Sequence, residues 1–463
     1  MSRWMSAAAS ACLSRRLAIP RVCRRQQSAS AFAQPQPSLP RSLRPDASSS
    51  TAAVDPHALL AAEMKQLRSS LLNLLGSSHP TLSQIAAYYF QHPSKQLRPL
   101  LVLLFSRATN GLSSHFPLKA WAAEHSRLSK EELDAPLSRP DVLNDFNPSM
   151  PDHTASFHSP FDLRPPPAKE YPSPPPSLSP SSVPALSHSL LPTQIRLAQI
   201  VEMIHVASLL HDDVIDKSPL RRSAPSAPSA FGNKLAVLGG DFLLGRASAA
   251  LSRLGDSEVV ELIAGVVANL VEGEILQMRG AESSPSSNTS PSPSSPDYSD
   301  RWSIYLRKTY LKTASLMAKG ARAAVVLGGC KEGEVWKEVA YAYGRNLGIA
   351  FQLVDDILDF SSSTALGKPG SGADLRLGLA TGPVLYAAEE YPELEPMIGR
   401  GFKGEGDVER ALTLISTSSG VARTRELARA HSEKAREVLA LLPESEAKKA
   451  LEALTEGVVR RAW

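Results

Sequence analysis

Cysteine is scarce in this chain of 463 residues, and its placement excludes two classes of site. Only three cysteines occur, and Cys12 and Cys23 both lie within the first 45 residues. Cys330 is alone in the remainder of the chain. The sequence therefore supports neither a disulfide framework nor a zinc site built from cysteines.

Acidic residues are missing from residues 1–45, which contain eight arginines among many serines and alanines. This composition predicts a mitochondrial transit peptide, with a disordered basic tail as the alternative. A secretory signal needs an uninterrupted apolar core, and Arg15 and Arg16 interrupt it here. Without this segment the formal charge changes from +4 to −4, because 50 − 8 = 42 basic and 46 acidic residues remain. This balance of acidic and basic residues gives no indication of nucleic-acid binding.

Long apolar runs and alternating strands are also missing. The apolar window at 259–271 is too short for a membrane span and contains Glu261. Two stretches, 113–192 and 280–300, are rich in proline and serine and predict disordered insertions. The expected organisation is a transit peptide over 1–45 and a single domain over 46–463.

Helical periodicity dominates what remains. Apolar residues recur at three-and-four spacing from an N-cap at Thr193 through 215, and again over 234–254, 258–278, 303–328 and 335–360. Amphipathic helices are expected from about 383 to the C-terminus. The sequence predicts an all-α fold, a single large helical bundle.

Aspartates cluster at the ends of two apolar helices. Asp212, Asp213 and Asp216 close the first, and the same i, i+1, i+4 spacing recurs in FQLVDDILDF, with Asp355, Asp356 and Asp359. One such cluster is compatible with a solvated helix end. Two clusters favour sites for Mg²⁺, which binds carboxylate oxygens together with the oxygens of a polyphosphate.

Three basic pairs occur in the chain: Arg221 with Arg222 just beyond the first cluster, Lys95 with Arg98 before an apolar helix, and Lys308 with Lys312 at i, i+4 spacing. Each pair alone is more typical of a solvated surface. Together with the doubled aspartate motif, they favour phosphate binding. An apolar interior beside phosphate-binding groups suggests a diphosphate attached to a hydrocarbon, with Mg²⁺ assisting departure of the diphosphate.

The chain resembles the trans-type isoprenyl diphosphate (polyprenyl) synthases, and most closely the mitochondrial long-chain members of ubiquinone biosynthesis. The matching segments are SKQLRPLL, EMIHVASLLHDDVID, RRSAPS, FGNKLAVLGGDFLL, GEILQM, KTYLKTASL, FQLVDDILDF and LGKPGSGADLRLGLATGPVL. Ser94 and Ser223 replace family glycines, and Leu379 replaces a lysine common in short-chain members. The resemblance implies a bundle of the isoprenoid synthase type around a central cavity.

The resemblance also implies roles for particular residues. Asp212, Asp216 and Asp355 are expected to bind Mg²⁺, with Asp213, Asp356 and Asp359 supporting them and Lys312 contributing to catalysis. Isopentenyl diphosphate would be bound by Lys95, Arg98, His205 and Arg222. The allylic diphosphate would be bound by Arg221, Lys312, Thr313, Gln352 and Lys368. Ala207 and Ser208, small residues ahead of the first motif, are expected to leave a product channel open.

The implied activity is condensation of farnesyl or geranylgeranyl diphosphate with isopentenyl diphosphates to a C30–C50 product for ubiquinone. A subunit of a heteromeric synthase and, less favoured, a geranylgeranyl synthase remain alternatives. A terpene cyclase would not need Lys95, Arg98 or Arg222. The resemblance further implies a homodimer or heteromer on the matrix side of the mitochondrial inner membrane, with peripheral membrane association.

Overall fold

The computed structural model describes residues 54–75, 79–92, 94–135, 137, 169–175, 189–222, 224–282, 298–360 and 372–461. All of these belong to one compact unit, Ala52–Trp463. The predicted transit peptide, Ser223 and Lys368 lie outside the described residues.

The described residues form helices and one very short hairpin, which confirms the all-α prediction. The first helices are α1 Pro56–Leu59, α2 Ala61–Leu74, α3 Pro80–Gln91, α4 Leu97–Thr109, α5 Phe116–His125, α6 Lys130–Asp134 and α7 Pro192–Ile215. Strands β1 Leu220–Arg221 and β2 Ala224–Pro225 pair antiparallel. Next come α8 Ala227–Phe231, α9 Asn233–Ser252, α10 Ser257–Glu282, α11 Tyr298–Thr309, a π-helical turn Tyr310–Ala314, and α12 Ser315–Leu327. The chain continues with α13 Trp336–Asp359, α14 Ala373–Arg376, α15 Gly382–Glu390, α16 Leu394–Gly399, α17 Asp407–Thr417, α18 Gly420–Val438, a 3₁₀ turn Leu439–Leu441, and α19 Glu446–Arg460.

The start of α7 differs from the sequence prediction. Thr193 does not cap the helix: it lies inside the first turn and is buried. The N-cap is Leu191, and Pro192 opens the helix with a backbone already suited to it. The Gln194 side chain accepts a hydrogen bond from the Leu191 amide at 3.0 Å and so gives the N–H group of the N-cap residue a partner.

The insertion expected over 113–192 is shorter than its composition suggested. Residues 116–125 and 130–134 are helical, and Phe116, Ala120 and Leu133 are buried. Ser129 caps α6 by accepting a hydrogen bond from the Glu132 amide. The expectation of disorder was therefore wrong for the first part of this stretch, because local capping and burial outweigh its mixed composition.

Helices α4 and α12 lie between the two helices that carry the aspartate motifs. Both contact α7 and α13. In α4 the residues from 99 to 106 are buried on every side, as in a central core helix. Helix α12 and the π-turn approach α13 closely: a Cβ on Gly344 would lie 2.7 Å from the Ala318 Cα, and one on Gly348 2.5 Å from the Ala314 Cα. These glycines allow the backbones to pack together and fix α13 in place.

Helices α9 and α10 expose large apolar side chains. Leu238 is 53% exposed and Val271 57%, and Val237, Ile275 and Met278 are also exposed. The two helices contact each other. Among the described residues, α9 is the one helix long and apolar enough to cross a membrane by length and composition alone, which is weak evidence for a span.

Candidate active site

The C-terminal half of α7 presents one partly exposed face to solvent. His205, Ser208, Leu209, Asp212 and Asp216 are all half-buried and recur at three-and-four spacing. Ala207 does not share this face and is completely buried. Of the two residues predicted to set product length, Ser208 therefore lies on the same face as Asp212.

The three aspartates of the first motif lie in two different environments. Asp213 is fully buried, accepts a hydrogen bond from the Tyr89 hydroxyl, and pairs with Arg221, whose Nε lies 2.9 Å from Asp213 Oδ1. Asp212 and Asp216 remain on the partly exposed face. Within the first motif, Asp212 and Asp216 are therefore the carboxylates that solvent reaches, and Asp213 is held by protein groups.

The charge on Asp212 and Asp216 is poorly compensated. Burial, with Glu274 nearby, raises the pKa of Asp212 to about 7 and also raises the pKa of Asp216. The motif lies at the C-terminal end of α7, where the helix dipole disfavours negative charge, and the last turn contains no basic residue. Lys312 supplies opposing charge, but it also pairs with Glu274.

The second motif repeats this division at the end of α13. Asp356 accepts hydrogen bonds from the Tyr305 hydroxyl at 2.5 Å and from Gln352 Nε2 at 2.9 Å. Asp359 is also buried and accepts hydrogen bonds from the backbone amides of Ala373 and Asp374 at 3.2 and 2.9 Å.

Asp355, the remaining member of the second motif, lies closer to solvent. Its side chain is 32% exposed and pairs with Arg461 at 3.1 Å. The Arg461 guanidinium also lies over the Phe351 ring, 4.3 Å from its centre. The second motif therefore offers one accessible carboxylate, and an arginine from the end of the chain already neutralises it.

Lys312 and Thr313 lie in the π-helical turn between α11 and α12. Such turns are rare and often occur at functional sites, because they change the direction in which side chains point. Gly273 of α10 leaves space for this turn: a Cβ there would lie 2.6 Å from Lys312 Cγ and 3.1 Å from the Lys312 amide. Thr313 donates a hydrogen bond to Gln352 Oε1 at 2.8 Å, so two residues predicted for the allylic diphosphate contact each other.

Arg98 and His205, two residues predicted to bind isopentenyl diphosphate, form a hydrogen bond of 3.1 Å between Arg98 Nη1 and His205 Nε2. Burial, with Arg98 and Arg222 nearby, lowers the pKa of His205 well below its usual value, so the ring is neutral. Because arginine only donates, Nε2 must accept and the ring proton lies on Nδ1. The buried Glu202 carboxylate faces Arg98 and Arg222, which oppose the effect of burial on its pKa.

Lys95 and Arg222 lie outside the helices, Lys95 just before α4 and Arg222 just after β1. Lys95 is exposed. Gln96, directly after it, has a left-handed backbone with φ 43°, and Arg222 at the turn of the hairpin has φ 53°.

Long-range charge interactions connect the two motifs. Burial lowers the pKa of Arg98, and this lowering is opposed by Glu202 from α7 and by Asp355 from α13. Burial also lowers the pKa of Lys308, against the opposing charge of Asp356 in the second motif. Lys312 and Glu274 act on Lys308 and also on Asp212 and Asp216 of the first motif. The acidic and basic residues therefore form one charged site, with Lys368 outside the described part of the chain.

Five described residues of this site were not predicted from the sequence as part of it. They are Tyr89, Glu202, Glu274, Tyr305 and Arg461. One of them left a signal in the sequence: Glu202 is a carboxylate between Val201 and Met203 in a predicted core helix, and all three residues prove to be buried. The others act through partners distant in the chain, which periodicity does not reveal.

Comparisons with known proteins agree with this arrangement. A sequence profile described as polyprenyl synthetase matches residues 177–415. The chain is 46% identical over 410 residues to a probable mitochondrial hexaprenyl pyrophosphate synthase from Neurospora crassa, covering 88% of this chain and 82% of that protein. It is 40% identical over 444 residues to the mitochondrial hexaprenyl pyrophosphate synthase of Saccharomyces cerevisiae, covering 88% and 90%.

A solved structure shares the fold. The polyprenyl synthase from Caulobacter crescentus, complexed with calcium and isoprenyl diphosphate, superposes with a TM-score of 0.62 at 28% identity, over 88% of this chain and 97% of that one. The family profile covers more than half of the chain, and relatives match it over most of their length. The chain therefore belongs to the polyprenyl synthetase family of prenyltransferases.

Proposed function

We propose that this chain is a long-chain all-trans-polyprenyl diphosphate synthase that supplies the ubiquinone side chain in mitochondria. The observation that carries the proposal is the single charged site formed by two aspartate motifs and two basic groups. The hexaprenyl synthases of Neurospora crassa and Saccharomyces cerevisiae support a product between C30 and C50. Their mitochondrial location supports the predicted transit peptide and a location on the matrix side of the inner membrane.

The acidic residues fit a divalent cation, and we assign Mg²⁺. Among the described residues, no three His, Cys, Asp or Glu side chains converge closely enough to hold a metal ion by themselves. Mg²⁺ commonly takes only one or two carboxylates and completes its coordination with water and phosphate oxygens. Asp212, Asp216 and Asp355 would serve as those carboxylates. When bound, the cation would neutralise the diphosphate and make it a better leaving group.

The side chains of the protein would divide the two substrates between them. Arg221, Lys312, Thr313 and Gln352 would orient the allylic diphosphate, and Lys368 is proposed for the same group from sequence alone. Lys95, Arg98, His205 and Arg222 would hold isopentenyl diphosphate, with Glu202 balancing the arginines. The apolar side chains of α4 and α7 would exclude water from the reacting carbons.

Incubation of the purified mature chain with Mg²⁺, farnesyl diphosphate and labelled isopentenyl diphosphate tests the proposal directly. Chromatographic sizing of the product is expected to show chains between C30 and C50. A product that stops at C15 or C20 would contradict the long-chain assignment. Conversion of farnesyl diphosphate to a hydrocarbon without isopentenyl diphosphate would instead indicate a cyclase.

Cation binding is expected to strengthen as pH rises through about 7, the pKa of Asp212. The protonated carboxyl does not bind Mg²⁺ well, so binding at lower pH must release a proton. Calorimetric titration of Mg²⁺ with inorganic diphosphate, in buffers of different ionisation enthalpy, measures that release. The number of protons released at pH 6.5 should fall in Asp212→Asn. Equal proton release by the wild type and Asp212→Asn would exclude Asp212 as its source.

The exposed apolar side chains on α9 and α10 favour association with a second chain. A homodimer is the simplest arrangement, and a heteromer is the alternative supported by the decaprenyl-diphosphate synthase subunit 1 of Schizosaccharomyces pombe, which is 37% identical. In a heteromer the purified chain would be inactive until its partner is added.

A charged substitution on the exposed apolar surface of α9 and α10 is expected to separate the associated chains. Val271→Glu would place a carboxylate on a side chain that is 57% exposed in the single chain, and burying that charge against a second chain is costly. Sedimentation should show a smaller particle than for the wild type. Leu441→Glu is the matched control, because Leu441 is 56% exposed but lies in the 3₁₀ turn near the C-terminus. The same loss of association in both variants would contradict this surface.

A further inference from the structure

The second aspartate of each motif is held by a buried tyrosine that lies far away in the chain. Tyr89 of α3 donates its hydroxyl hydrogen to Asp213, and Tyr305 of α11 donates to Asp356 at 2.5 Å. Asp213 is fully buried and Asp356 is 3% exposed, so solvent makes little contact with either carboxylate. The same position in the two motifs thus has the same kind of partner from two different helices.

Both oxygens of each carboxylate are already occupied. One oxygen of Asp213 accepts from Tyr89 and the other from Arg221 Nε at 2.9 Å. One oxygen of Asp356 accepts from Tyr305 and the other from Gln352 Nε2 at 2.9 Å. A buried carboxylate with both oxygens hydrogen-bonded is rigid and is not available to a cation from solvent. Asp213 and Asp356 therefore fix the orientation of the neighbouring side chains that donate hydrogen bonds to them.

The neighbours are the groups proposed to bind the allylic diphosphate. Through Asp213, Tyr89 fixes the guanidinium of Arg221. Through Asp356, Tyr305 fixes the amide of Gln352, whose oxygen accepts the Thr313 hydroxyl at 2.8 Å. Tyr89 also accepts a hydrogen bond from the Ala227 amide at 2.8 Å, which holds the chain just after the hairpin that contains Arg221.

We propose that Tyr89 and Tyr305 are positioning residues for the allylic diphosphate, each acting through the second aspartate of one motif. The proposal rests on the proposed function for the identity of the ligand. It separates five of the six aspartates by role: Asp212, Asp216 and Asp355 face the cation, and Asp213 and Asp356 orient Arg221 and Gln352. Loss of either tyrosine hydroxyl should therefore weaken binding of the allylic substrate more than it slows turnover.

Tyr89→Phe and Tyr305→Phe test this, because each removes one hydroxyl and keeps the ring. Loss of one hydrogen bond to a buried carboxylate is expected to raise KM for farnesyl diphosphate about tenfold. The KM for isopentenyl diphosphate and kcat should change by less than about threefold. Affinity for farnesyl thiodiphosphate, an unreactive analogue, measured by calorimetry, should fall by the same factor as KM rises, independently of turnover.

Tyr88→Phe is the matched control for Tyr89→Phe. Tyr88 is the neighbouring residue of α3, and its hydroxyl donates to the Pro225 carbonyl of the hairpin at 2.9 Å without contacting Asp213. A purely structural effect would lower the melting temperature of either variant and leave the ratio of KM for farnesyl diphosphate to KM for isopentenyl diphosphate unchanged. The same KM ratio in Tyr89→Phe and Tyr88→Phe would overturn the role of Tyr89.

Double substitutions identify the route of the effect. If Tyr89 acts through Arg221, adding Tyr89→Phe to Arg221→Ala should raise KM for farnesyl diphosphate no further. Adding Tyr305→Phe to Gln352→Ala should likewise have no additional effect. Independent, additive losses would overturn the proposed route. A wild-type chain whose product stops at C15 or C20, with affinity for the thiodiphosphate reduced in both tyrosine variants, would contradict the proposed function and leave the positioning role supported.

Discussion

The kcat of Asp212→Asn is expected to be about a thousandfold below that of the wild type. Losses of this order follow the removal of one group that stabilises developing charge. Asn keeps the shape of the side chain and removes the charge. Asp212 is one of the two accessible carboxylates of the first motif, and its partner Asp216 alone cannot neutralise a cation equally well. Steady-state assays with saturating substrates and Mg²⁺ measure the effect.

The same substitution should stabilise the protein in the absence of ligand. The pKa of Asp212 is raised from 3.8 to about 7, chiefly by burial, so the folded chain holds this proton more tightly than the unfolded chain. The ligand-free wild type therefore loses stability as pH rises from about 4 to about 7. Asp212→Asn removes that loss, and its melting temperature should exceed that of the wild type at pH 8 and approach it at pH 4.

Asp213→Asn is the matched comparison for both effects. It changes the adjacent residue in the same way, but Asp213 contacts Tyr89 and Arg221 instead of facing solvent. This variant should lose stability and bind farnesyl diphosphate weakly, with a smaller loss of kcat. Equal losses of kcat in the two variants, or a lower melting temperature for Asp212→Asn at pH 8, would contradict the division of roles within the motif.

The sequence could predict the aspartate motifs but not this division. Helical periodicity placed Asp212 and Asp216 on one face of α7 correctly, because their positions depend only on local geometry. It could not show that Asp213 is buried, since that depends on α3 and the hairpin packing around it. Tyr89 lies 124 residues from Asp213, and Arg461 lies 106 residues from Asp355. Contacts over such distances depend on the packing of the whole bundle.

Local signals also explain where the fold was predicted well. Helices α9, α10 and α13 begin and end close to their predicted bounds, whereas the run predicted over 303–328 is divided into the end of α11, the π-turn and α12. Composition was a poorer guide between 113 and 135, where short capped helices pack against the core. The π-turn was not foreseen, because its cause is tertiary: Gly273 on α10 leaves the space that the turn occupies.

Product length should shorten in Ser208→Phe. Ser208 lies one helical turn before Asp212 on the same partly exposed face, about 6 Å further along the helix. Its hydroxyl donates to the His205 carbonyl at 2.8 Å, so the small side chain stays close to the helix and leaves the face open. A phenyl ring there would obstruct the growing chain and end elongation at C15 or C20. Chromatography of the labelled products measures the change.

Two further substitutions on α7 distinguish obstruction from damage to the fold. Ala207→Phe is also expected to shorten the product, but Ala207 is completely buried, so overpacking should cost about 1–3 kcal/mol of stability as well. Val206, 2% exposed, is the control: Val206→Phe should lower the melting temperature and leave product length unchanged. Unchanged product length in both Ser208→Phe and Ala207→Phe would place the growing chain elsewhere. Shortening in Val206→Phe as well would mean that any distortion of α7 ends elongation, and it would remove the evidence that Ser208 and Ala207 lie along the product channel.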